Sequence, residues 1–296
     1  MMRYRIIITA LLFIFKIVGL SGQIVTSGKS SVYINNMPKV SPVNNNTQEN
    51  LQPGALVAPE FKGKYYALII GINEYMDPLI TDLDKPIRDA ELFYNTITTK
   101  YSFNKEDVRF LRNATMAQIV EALDYYAKIV QPEDNFLIFY AGHGVWDAAA
   151  EIGFWLPSDA SRNSKLAWFR NSTLRDYLQA IKSKHTLLIS DACFAGSIFK
   201  THRAFTDAPL AINKLYALRS RKAMTSGTLT EVPDQSAFLR YLVQRLMENT
   251  EKYLSSEQLY SSFRIAVINN SNVVPQFGVI QDVGDEGGDF IFILKN

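Results

Sequence analysis

The chain has 296 residues, with 31 Lys and Arg against 29 Asp and Glu and a formal net charge of +2. That balance gives no electrostatic ground for nucleic acid or an anionic surface as the main partner, and 47% apolar with 12% aromatic residues excludes a chain disordered throughout. The single cysteine, Cys193, excludes an internal disulfide and a zinc site built on several thiolates.

Residues 1–22 read as an export signal: Arg3 and Arg5 open it, Ile6 to Phe15 form an apolar run, and Gly19, Ser21 and Gly22 offer small residues for cleavage. The expected location is periplasmic or secreted. An uncleaved N-terminal membrane anchor is the alternative, but Lys16 interrupts a run already shorter than the roughly 18 residues of a spanning helix. No membrane span is expected after signal removal. Residues 23–63 read as a flexible linker, since Ser27 to Gly63 holds six Asn, four Ser, four Pro and three Gly with little periodicity.

The folded domain is expected from residue 64 to 296. Tyr65 to Ile72 is a continuous apolar run, the pattern of a parallel strand covered on both faces. A helix follows from Asp84 to about Lys100, with Pro86 in its first turn and apolar positions at Ile87, Ala90, Leu92, Phe93 and Ile97. Asp107 to Leu111 is a short strand. Thr115 and Gln118 form a capping box for a helix whose core side is Ile119, Ala122, Leu123, Tyr126 and Ile129. Asn135 to Tyr140 is a second buried strand, Thr173 to Asp176 a second capping box, and Thr186 to Ser190 a third apolar strand. A further strand at Lys222 to Thr225, a helix from Gln235 to Glu248 and a helix opened by Ser255 to Gln258 and running through Ile268 complete the chain. This alternation predicts an α/β fold, a three-layer α/β/α sandwich around a mostly parallel sheet of about six strands.

Two strands end in unusual chemistry: Ala141-Gly142-His143-Gly144 follows one, and Asp191-Ala192-Cys193-Phe194-Ala195-Gly196 follows another. In open α/β sheets ligands sit outside the carboxyl ends of strands, so both segments point to one edge. Alone, a Cys after an apolar strand is more commonly a small buried hydrophobe, and a lone His a satisfied polar group. Together they form a pair in which imidazole can take the proton of a thiol whose ordinary pKa is about 8.5.

From about Tyr65 to Asn296 the chain resembles the caspase-like cysteine peptidases, and within them the bacterial metacaspase or orthocaspase branch. The resemblance rests on Ala67 to Tyr75, on Tyr140-Ala141-Gly142-His143-Gly144 and on Asp191 to Gly196, and Gly287-Gly288-Asp289-Phe290 is similar to the closing strand of such domains. His143 stands 50 residues before Cys193, the spacing caspases keep. The resemblance implies a large part over about 64–200, an intersubunit-type linker over about 198–218 and a small part over about 219–296. It implies an endopeptidase in which Cys193 attacks the scissile carbonyl and His143 carries the proton to the leaving amine. The backbone N–H groups of Gly144 and Cys193 would form the oxyanion hole. No third residue to orient His143 is evident in the sequence.

Metacaspases line their primary pocket with acid. Asp191, at a strand end where a carboxylate must be paired or face a cationic ligand, and Asp89, which resembles the metacaspase helix acid and is equally an ordinary helix-surface residue, imply substrates with Arg or Lys before the scissile bond. The resemblance also places the Thr225-Ser226-Gly227 loop beside the substrate backbone. The segment Ile198 to Lys222 holds six basic residues against one acid, which makes Lys200, Arg203 and Lys214 candidate self-cleavage sites, or else an exposed loop. Trp146 and Trp155 flank the hairpin after His143 and are expected in the core. His185 reads as a strand-entry residue and His202 as a loop residue.

The chemistry requires no cofactor. Some metacaspases use calcium, and Asp147, Glu151 and Asp159 follow the His, but their spacing defines no site and the metal ligands are left unassigned. Expected partners are protein or peptide substrates and no nucleic acid; the oligomeric state is not legible. The main alternative is a catalytically silent caspase-like binding or scaffold module; a flavodoxin-like ligand-binding domain also fits the element order but lacks a glycine-rich phosphate loop after its first strand.

Overall fold

The computed structural model describes residues 61–192, 198–199, 212–227 and 236–296. The signal and nearly all of the linker lie outside the described residues, as do His202 and the loop flanking Cys193.

A six-stranded sheet forms the centre. Its strands are β1 (Tyr65–Gly71), β2 (Val108–Arg112), β3 (Asn135–Ala141), β7 (His185–Asp191), β8 (Ser220–Thr225) and β10 (Gln276–Val279). In space they run β10-β8-β7-β3-β1-β2, all parallel except β10, which pairs antiparallel with β8. The continuous apolar runs are fully buried in β1, β3 and β7 because both faces are covered.

Alternation along the strands builds two cores. Tyr65, Ala67 and Ile69 of β1, with Leu137 and Phe139 of β3, face α1 (Pro86–Lys100), α5 (Ala237–Glu248) and α6 (Ser256–Asn270). Tyr66, Leu68 and Ile70, with Phe136, Ile138 and Tyr140, face α2 (Met116–Ile129) and α3 (Asn171–Ala180). The expected three-layer sandwich is the observed architecture. A hairpin-based second sheet, β4 (Gly144–Asp147), β5 (Ile152–Trp155) and β6 (Phe169–Arg170), follows β3.

Several expectations need correction. Leu92 of α1 is 46% exposed, while Ala90, Phe93 and Ile97 of the same helix are buried. The second capping box is absent: α3 starts at Asn171, two residues before Thr173, and carries no side-chain cap. The segment Gly287 to Phe290 is not itself a strand; it leads into β11 (Ile291–Ile293), which pairs with β9 (Tyr253–Ser255) outside the main sheet. Residues 212–217 form a further helix, α4 (Ile212–Ala217). The capping boxes of Thr115 on α2 and Ser255 on α6 are both present.

Candidate active site

β3 delivers His143 at the carboxyl edge of the sheet, and a framework of loop hydrogen bonds holds it there. The loop after β1, residues 72–85, is stitched at both ends. Asn113, at the end of β2 with φ 47°, accepts through Oδ1 from the backbone N–H groups of Asn73 and Glu74 at 2.8 and 3.2 Å. The Asn73 side chain in turn accepts from Ile87 N at 2.8 Å, capping α1 from outside the helix. Asp82 Oδ1 accepts from Tyr75 N at 2.8 Å, closing the loop on itself.

This loop makes two contacts with the histidine. The Thr81 carbonyl lies 2.8 Å from His143 Nε2. A carbonyl only accepts, so Nε2 carries the hydrogen and Nδ1 of the neutral ring is left with its lone pair. Tyr75, buried with its pKa raised far above the usual phenol range by desolvation, accepts the His143 N–H on its hydroxyl at 2.9 Å. From the other side, Tyr140 donates to the His143 carbonyl at 2.7 Å. Two tyrosines therefore grip the His143 backbone. A Cβ on Gly142 would stand 2.9 Å from the Tyr140 hydroxyl, which explains the glycine before the histidine.

The same hairpin disposes of Gly144. Leu156 N donates to the His143 carbonyl at 3.0 Å, and Gly144 is the next residue, opposite Trp155 in an antiparallel ladder. Bonded and non-bonded pairs alternate along such a ladder. The Gly144–Trp155 pair is thus non-bonded, and the Gly144 N–H points away from β5.

Asp191 ends β7 beside Ala141 of β3. It is 7% exposed, and its Oδ1 has no hydrogen-bond partner among the described residues. Burial pushes its pKa up to about 6; the hydroxyls of Ser236 and Ser226 moderate the rise, and the charge of Asp89 adds to it. Asp89 and Asp191 are thereby brought into one electrostatic neighbourhood, although Asp89 also meets Arg88 at 3.2 Å. Around them the hydroxyls of Ser190 and Thr225 are buried and lack partners among the described residues. Ser190 lies opposite Thr225, and Ser226 N donates to the Ser190 carbonyl at 3.0 Å. A buried acid among hydroxyls thus marks the ends of β7 and β8.

Cys193, Lys200 and Arg203 lie outside the described residues. Lys214 is exposed on α4. Trp155 is buried and stacks on Tyr140 at 4.3 Å, as expected of a core residue, whereas Trp146 is only half-buried. His185 opens β7 fully buried, between the Asn135 amide at 2.7 Å and the Tyr216 carbonyl at 3.0 Å. The acids considered for calcium do not converge: Asp147 pairs with Lys165 and accepts from Ala149 and Ala150, while Asp159 accepts from Met116 N at 2.8 Å. Among the described residues no group of three or more His, Cys, Asp or Glu is placed to hold a metal ion. These residues do not fit a calcium site. The roles of Tyr75, Tyr140, Asn73 and the Thr81 carbonyl were not legible from residue types and emerge only from the fold.

Comparison with known proteins agrees with this geometry. Metacaspase-1 of Saccharomyces cerevisiae is 33% identical over 90 residues, 28% of this chain and 20% of the relative, and Metacaspase-1 of Kluyveromyces lactis is 30% identical over the same shares. The matched stretch spans about a fifth of the length of those curated relatives. The crystal structure of protein GSU0716 from Geobacter sulfurreducens superposes with a TM-score of 0.52 at 19% identity, covering 77% of this chain and 99% of that one, which is a likeness of fold. The Caspase domain family matches residues 64–279, most of the described chain. With a histidine clamped at the end of β3 and a buried acid at the end of β7, the chain belongs to the caspase domain family of cysteine peptidases.

Proposed function

We propose that the protein is a cysteine endopeptidase that cleaves after Arg or Lys through a Cys193–His143 dyad. The observation that carries the specificity is the Asp191 carboxylate, buried without a partner for Oδ1 among the described residues and two positions before Cys193. A guanidinium or ammonium brought against this carboxylate supplies the missing counter-charge, and the second acid, Asp89, strengthens the demand for a cation.

In this reading Nδ1 of His143 accepts the Cys193 thiol proton as sulfur attacks the scissile carbonyl. The negative charge on the carbonyl oxygen is met by the N–H groups of Gly144 and Cys193. His143 returns the proton to the amine as the C–N bond breaks, then activates the water that hydrolyses the thioester. Thr225 and Ser226 flank the substrate chain. Self-cleavage at Lys200 or Arg203 belongs to the same reading; Lys214 requires α4 to unwind first, because a protease reads an extended segment. Export is a second proposal, tested by the N-terminal residue of protein recovered from the native cell.

The test is hydrolysis of reporter peptides carrying Arg, Lys or Asp before the reporter, with and without calcium. It is combined with labelling by an arginyl peptide bearing a thiol-reactive group on wild type, Cys193→Ala and His143→Ala. Turnover of Arg and Lys peptides, with labelling lost in both variants, supports the reading. Preference for Asp removes the pocket assignment, and absence of labelling and turnover in every condition favours a silent binding module. New N-termini that appear in wild type and not in Cys193→Ala identify self-cleavage.

A further inference from the structure

The strand order gives the site a direction. β8 and β7 carry Thr225, Ser226 and Asp191, β3 carries His143, and the 72–85 loop rises from β1 beside the edge strand β2. If residues before the scissile bond lie over β8 and β7, as proposed above, the amine protonated by His143 departs toward β1 and β2. A cavity of about 280 Å³ lies on that side, lined by Glu74, Tyr75, Met76, Asn113 and Ser158. Tyr75 joins it to the histidine, since its hydroxyl accepts from His143 N at 2.9 Å. The cavity is smaller than the roughly 300–1,000 Å³ of pockets for drug-sized ligands, so it suits one side chain better than a cofactor.

Its walls have a definite chemistry. Ser158 is 3% exposed, and its Oγ has no partner among the described residues. The Ser158 backbone is fixed on both sides, donating to Ala114 O at 2.9 Å and accepting from Met76 N at 2.8 Å. Glu74 touches the Asn113 amide at 3.2 Å, and no cation pairs with it among the described residues. Met76 is 71% exposed. A buried hydroxyl left unpaired is costly and calls for a partner. A carboxylate and a spare hydroxyl beside a thioether and an aromatic ring match a long aliphatic stem ending in a cation.

We propose that this cavity is a subsite for a basic side chain within the first two residues after the scissile bond. It rests on the peptidase reading and extends its specificity to the leaving side, with Glu74 as the selecting charge and Ser158 Oγ as a second acceptor.

The experiment compares kcat/KM for internally quenched peptides with Arg before the scissile bond and Lys, Ala or Glu at each of the next two positions, on wild type, Glu74→Gln and Glu74→Lys. Wild type should favour Lys over Ala at one position by about two- to fivefold, the worth of one exposed ion pair. That ratio should fall to about one in Glu74→Gln and turn toward Glu in Glu74→Lys. A flat ratio in wild type, or one unchanged in both variants, overturns the subsite. An arginyl aminocoumarin amide, which has no residue after the bond, separates the two readings. Its hydrolysis alongside a flat ratio overturns the subsite alone, whereas no hydrolysis of any substrate, with or without calcium, overturns the peptidase reading and the subsite with it.

Discussion

Tyr75 reaches across 68 positions of sequence to accept the backbone N–H of His143 at 2.9 Å, and its ring lies 5.0 Å from the imidazole. The same loop brings the Thr81 carbonyl to Nε2, so one segment sets both the place of the ring and its tautomer. Tyr75→Phe keeps the ring and removes the acceptor. It should lower kcat about tenfold with little change in KM, and cost about 1 kcal/mol of stability. Steady-state kinetics beside thermal melting checks this; a change confined to KM would show that Tyr75 does not position the histidine.

Asp191 predicts a pH dependence of specificity. Its pKa, pushed up to about 6, means the pocket loses its charge as pH falls through that value. KM for Arg peptides should therefore rise below about pH 6, and Asp191→Asn should remove this dependence while cutting kcat/KM for Arg peptides by two orders of magnitude or so, the worth of a buried charged contact. Profiles of kcat/KM against pH for the two proteins decide it.

Asp191 and His185 should tilt stability in opposite directions over nearly the same range. Asp191 binds its proton more tightly folded than unfolded, so its contribution falls as pH rises from about 3.8 to about 6. Burial lowers the His185 pKa to about 4, so the unfolded chain binds the proton more tightly and stability rises with pH from about 4 to 6.5. Each effect is on the order of 3 kcal/mol, and the two largely cancel in the wild type. Asp191→Asn should expose the rising slope and His185→Gln the falling one. Denaturant titrations at a series of pH values test this, and parallel curves for all three proteins would refute it.

Gly71 ends β1 where α1 crosses closest. A Cβ there would lie 2.9 Å from Ile87 Cα and 3.0 Å from the Pro86 carbonyl. Gly71→Ala should push the first turn of α1, which carries Asp89, away from β7, costing about 1–3 kcal/mol. Selectivity for Arg over uncharged residues should weaken more than kcat. Melting curves and a comparison of Arg with norleucine peptides provide the check.

The central strands were legible because burial on both faces leaves an unbroken apolar run, as in Tyr65 to Ile72, and two of the capping boxes announced their helices. The edge was not legible: β10 is four half-buried residues with Gln276 and Gly278 among them, too mixed and short to give a period. Thr173 misled because a capping pattern is local, while the start of α3 is set by the buried Asn171 two positions earlier. At the site, His143 and Asp191 could be named from residue type and position, and Asp89 only through the family resemblance. The Thr81 carbonyl could not, since every residue has one and only the fold chooses which is used.

The alternation in the hairpin after His143 sets a parity condition on the chain. With Leu156 bonded to His143, every second amide of β4 is turned away from β5, beginning with Gly144. A slip of one residue between β4 and β5 that drew the Gly144 amide into the ladder would turn the His143 carbonyl, which shares its peptide plane and points the opposite way, off Leu156 and Tyr140. Length changes in the turn at 148–151 are therefore compatible with activity only when they keep this phase, so odd and even register shifts should have opposite consequences for the same change in hairpin stability.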